Sequence, residues 1–113
     1  MRFIKSNPTL KTDQGAEWEC TVIEFELQES EILTPDRLPE IAAQLREEIE
    51  VGIYRSPIFL SGRGPIWLYL CLTHELHPGH SVGGFDPRIG YIVCVSHSPQ
   101  LKVGTILQPA TES

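Results

Sequence analysis

The chain is short of several things, and each shortage excludes a class. Its three cysteines, Cys20, Cys71 and Cys94, are an odd number with neither a CxxC pair nor regular short spacing, which excludes a disulfide framework and a zinc ribbon. Each lies among apolar neighbours, so buried free thiols are expected. No basic start followed by an apolar run of about 7–15 residues is present, and no stretch approaches the roughly 18 apolar residues that span a bilayer. The expectation is a soluble, cytoplasmic protein without membrane contact. Positive charge is scarce as well: 9 Lys+Arg stand against 15 Asp+Glu, a formal net charge of −6. A protein that coats nucleic acid or an anionic membrane by bulk charge is thereby excluded, and any polyanion must be met locally.

What is present suits one compact domain. At 113 residues, 41% apolar and 21% charged, the chain can bury one small core. Its charge is uneven: residues 1–60 hold six basic and twelve acidic groups, whereas residues 61–113 hold Arg63, Arg88 and Lys102 against Glu75, Asp86 and Glu112. The neutral part also holds every histidine, His74, His77, His80 and His97.

Periodicity predicts a first strand over residues 1–5 and a second over 18–27, joined by a polar turn. Pro35-Asp36-Arg37-Leu38-Pro39 reads as a helix start, with Ile41, Ala42, Leu45 and Ile49 at helical spacing and Gly52 as its end. Glu40, Arg46, Glu47, Glu48 and Glu50 then form a solvated outer face. Ile58-Phe59-Leu60 predicts a short buried strand, and Ser61-Gly62-Arg63-Gly64-Pro65 leads into a second helix from Ile66 to about Leu76. Val82 to Phe85 predicts a strand, residues 86–90 a turn, and Tyr91 to Val95 a strand buried on both faces. A last strand over about 103–107 precedes a tail from residue 108. The order favours an α/β domain over residues 1–107, with a mixed sheet and two main helices.

Several groups in the second part carry chemistry. Glycines between a strand and a helix let backbone amides approach an anion, and Arg63 can donate to phosphate, although the same loop also suits a purely structural turn. His74 and His77 share a helix face, with His80 just beyond, a spacing open to metal binding, catalysis or a helix C-terminal cap. Asp86 can hold its own turn or serve as ligand or base, and Arg88 can clamp phosphate. His97 ends the following strand. Trp67 and Tyr69 read as packing residues.

These segments, Ser61-Gly62-Arg63-Gly64-Pro65-Ile66-Trp67-Leu68, His74-Glu75-Leu76-His77, Phe85-Asp86-Pro87-Arg88-Ile89-Gly90 and Ser96-His97-Ser98, resemble the small CRISPR-associated ring nucleases of type III systems, the Csx-three family. The resemblance covers roughly residues 57–107. It implies an α/β fold distantly related to CARF sensor domains and a homodimer that can pair as two dimers around a ring. It also implies cleavage of the second messenger cyclic tetra-adenylate, which switches off antiviral signalling, with manganese (Mn²⁺) supporting activity. Manganese-dependent removal of nucleotides from linear RNA 3′ ends, or non-catalytic sensing of the cyclic messenger, are the alternatives. By motif position it implies catalytic roles for His77, Asp86 and Arg88, with His77 and Asp86 also as metal ligands. Ser61, Gly62, Arg63, Gly64, His97 and His80 become ligand-binding residues. Pro78 stands where family members carry a second histidine.

Overall fold

A computed structural model describes residues 1–110. Its strands are β1 (Arg2–Ser6), β2 (Thr9–Lys11), β3 (Glu17–Glu19), β4 (Thr21–Glu26), β5 (Pro57–Ser61), β6 (Ser81–Asp86), β7 (Gly90–Ser96) and β8 (Ile106–Pro109). Helix α1 (Leu38–Glu48) connects β4 to β5 and α2 (Ile66–Leu76) connects β5 to β6. The strands form one mixed sheet in the order β1-β4-β5-β6-β7-β8-β2-β3. Only β4, β5 and β6 run parallel, as the two helical crossovers require.

Both helices cover the same face. Ile41 and Leu45 of α1 and Leu68, Leu72 and Leu76 of α2 pack on Phe3, Ile23, Phe25, Ile58, Leu60 and Val82 of the sheet. The other face is covered by the sheet itself, which curls so that β2 and β8 lay Leu10 and Leu107 over Val22, Phe59 and Val93. Residue alternation along β4 lets it serve both faces: Val22 joins the cluster on the curled side, while Ile23 and Phe25 join the one under the helices. The radius of gyration, 14.0 Å, is close to the roughly 13 Å expected of a compact chain this long. No helix among the described residues is long and apolar enough to cross a membrane.

Several expectations need correction. The amino-terminal region forms four strands instead of two, because the three-residue strands β2 and β3 interrupt it. Helix α1 ends at Glu48, before Gly52, because Ile49 turns extended (φ −88°, ψ 140°) and packs against the core. Strand β7 is not buried on both faces. A register shift opposite Val82 and Gly83 leaves Cys94 outside the pairing and exposed, so of the three thiols only Cys20 is buried. The last strand reaches Pro109, so Gln108 and Pro109 are not tail: Pro109 pairs with Leu10 and Gln108 donates to the Ile89 carbonyl. Residues 111–113 lie outside the described residues.

Candidate functional site

The strand-to-helix loop is built on Phe25. Gly62 sits at φ +146° with the Phe25 carbonyl oxygen occupying the place where a Cβ would stand, and at Gly64 a Cβ would meet Leu68 Cδ2 at 2.9 Å. Both glycines therefore answer a packing need. Tyr69, one turn into α2, closes the loop by donating its hydroxyl to the Gly62 carbonyl at 2.6 Å, and burial raises the pKa of that phenol. Arg63 projects into solvent with no hydrogen-bond or ion-pair partner among the described residues. Helix α2 has no side-chain N-cap, so its first amides and its positive dipole end remain open beside Arg63.

The next strand brings the second anion-directed group. Because β5 and β6 are parallel neighbours, with Leu60 opposite Gly84, the turn after β6 emerges beside the glycine loop. Asp86 Oδ1 accepts the Arg88 backbone N–H at 2.8 Å and lies 3.5 Å from Arg88 Nε, and Ile89 N–H returns to the Asp86 carbonyl. The amide bond from Arg88, and then its guanidinium, hold the Asp86 carboxyl below the ordinary carboxylate range. Asp86 is thus a stable carboxylate and a weak base, and its geometry fixes the Arg88 turn.

The histidines gather elsewhere. His77 caps the carboxyl end of α2, and its ring meets that of His97 with centroids 5.1 Å apart. His97 N–H donates to the His80 carbonyl at 2.9 Å and His80 N–H to the Tyr54 carbonyl at 2.8 Å. His80 Nδ1 lies 3.0 Å from Ser81 Oγ and its ring packs against Trp18, a burial that lowers its pKa. His74 is exposed and joins none of these contacts. The pairing of His77 with His97 and the embedding of His80 under Trp18 escape sequence reasoning, since no local pattern links them.

The structure therefore separates the expected residues into two groups. Ser61, Gly62, Arg63, Gly64, Asp86 and Arg88 stand at the carboxyl edge of the parallel strands, and His77, His80 and His97 at the amino edge. The six-residue strand β6 lies between them, and at about 3.3 Å per residue it spans about 16 Å. The expected metal pairing of His77 with Asp86 is not formed within a chain. Among the described residues no group of three or more His, Cys, Asp or Glu is placed to hold a metal ion, so the described residues of one chain do not by themselves assemble a three-ligand site.

The motifs at both edges fall inside a match to a known family. Residues 26–108 match the family described as CRISPR-associated protein (Cas_csx3). The chain belongs to the Csx3 family. The match begins well before residue 57, at the last residue of β4, so the Csx3 pattern takes in α1 as well as the motifs at the two edges. An uncharacterized protein of Aquifex aeolicus (strain VF5) is similar to it, 41% identical over 111 residues, which cover 90% of this chain and 96% of that protein.

Proposed function

We propose that this Csx3 protein is a ring nuclease that binds and opens cyclic tetra-adenylate, with each complete site assembled from the carboxyl edge of one copy and the amino edge of another. The observation that carries this reading is the separation of phosphate-directed groups from imidazoles by the length of β6. Arg63, Arg88 and the open amides of α2 suit phosphate oxygens, and a few such donors per copy, repeated by symmetry, offset the chain's net charge of −6. His77, at the amino edge, suits hydrogen bonding at a reacting phosphodiester. Membership in a CRISPR-associated family supports a nucleotide messenger as ligand.

The bond broken is a phosphorus–oxygen bond of the ring. Attack comes from the neighbouring ribose 2′-hydroxyl, leaving a cyclic phosphate, or from water, leaving an open one, and the product termini tell the two apart. In either case Arg88, held by Asp86, meets charge developing on the phosphoryl oxygens. Manganese, if bound between copies, would draw ligands from the described residues of more than one chain.

Complementation tests the assembly. Arg88→Ala and His77→Ala should each slow single-turnover opening of cyclic tetra-adenylate by about 10²-fold or more, while an equimolar mixture of the two should regain a substantial part of the rate. A mixture as slow as its components would refute a site shared between copies. Linear tetra-adenylate, with Mn²⁺ and with EDTA, runs in parallel. Cleavage of the linear strand alone would replace the proposal with a 3′ exonuclease, and binding without product would replace it with a sensor.

A further inference from the structure

The contact between His77 and His97 specifies where hydrogens lie. His97 Nε2 is 3.1 Å from the His77 carbonyl oxygen and 3.4 Å from His77 Nδ1. A carbonyl oxygen can only accept, so His97 Nε2 carries the hydrogen. The same N–H faces His77 Nδ1, which then presents its lone pair, since a hydrogen there would set two N–H donors against each other. A neutral imidazole carries one ring hydrogen, and in His77 it is left on Nε2.

We propose that His97 is a positioning residue that holds His77 with its Nε2–H outward, as a hydrogen-bond donor made for an anionic oxygen rather than as a lone-pair ligand for a metal cation. A metal-ligating histidine offers one nitrogen's lone pair to the metal and donates its other N–H to an acceptor. Here the inner nitrogen is the acceptor, the reverse arrangement. The donor belongs on a phosphoryl oxygen of the ring or on its leaving oxygen, and this choice of ligand rests on the ring-nuclease reading; the tautomer does not. His80 does not compete for the role, because its ring lies against Trp18 and is partly buried. The backbone fixes His97 independently of its ring, through its N–H to the His80 carbonyl.

The test reads ring nitrogens directly, by long-range ¹H–¹⁵N correlation on ¹⁵N-labelled protein at about pH 8, above the ordinary imidazole range. His77 should show a pyrrole-like Nε2 and a pyridine-like Nδ1. His97→Gln, whose carboxamide keeps an N–H donor, should retain that pattern, whereas His97→Phe should move the two His77 nitrogens toward each other as tautomers exchange. Both substitutions fall at an exposed position. In wild type, added Mn²⁺ should broaden the His77 ring signals no earlier than those of exposed His74. A His77 hydrogen on Nδ1, an unchanged pattern in His97→Phe, or selective early broadening at His77 would overturn the proposal. None of these readouts needs turnover, so absence of ring cleavage would refute the functional reading alone.

Discussion

Gly62 shows how tightly the anion-directed loop is built. Its positive φ is poorly accessible to other residues, and the Phe25 carbonyl already occupies the space beside it. Gly62→Ala should therefore cost about 1–3 kcal/mol of folding stability, read as a lowered denaturation midpoint. It should also weaken ligand binding by displacing Arg63. Equal stability in the variant would mean that the loop relaxes without resistance. The structural and anion-binding readings of the glycines, alternatives at the level of sequence, thus come together: the packing that demands glycine also presents the amides.

At the scale of the element, α2 has two unlike faces. Leu72 is fully buried and Leu70 is 67% exposed, although both lie in one apolar run. Leu72→Ala should destabilise the fold by about 2–5 kcal/mol, whereas Leu70→Ala should stay within about 0.5 kcal/mol; comparable losses in chemical denaturation would contradict the packing described. The extent of α2 was legible because Gly64-Pro65 precedes it and Pro78-Gly79 follows it. Strands β2 and β3 were not, since three-residue segments carry almost no period and β2 finds its partner in β8, nearly a hundred residues away. The bulge that exposes Cys94 was equally hidden: it depends on pairing with β6, while Tyr91 to Val95 alone reads as continuously apolar.

For the whole molecule, the decisive relation is the one between the two edges of the parallel strands. The sequence presents His77 and Asp86 only nine positions apart, which suggests one site, but an extended strand turns a short separation along the chain into a long one in space. The residue types were legible and their division was not. If a complete site needs two copies, the single-turnover rate per chain should rise with protein concentration until assembly saturates, and sedimentation at the same concentrations should show the larger species. A rate per chain independent of concentration over the range where sedimentation detects only monomer would locate the whole reaction in one chain.

The curl of the sheet has a consequence for how the molecule is made. Phe59, Val22 and Val93 are covered by Leu10 from near the beginning and by Leu107 from near the end, and β2 pairs directly with β8. During synthesis the helical layer over Phe25, Ile58 and Leu60 can close once β6 has been made, but the opposite side stays open until β8 follows. A nascent chain that stops short of β8 therefore shows an apolar sheet and an unpaired β2 to its surroundings, and its protection from aggregation during that interval must come from outside the fold.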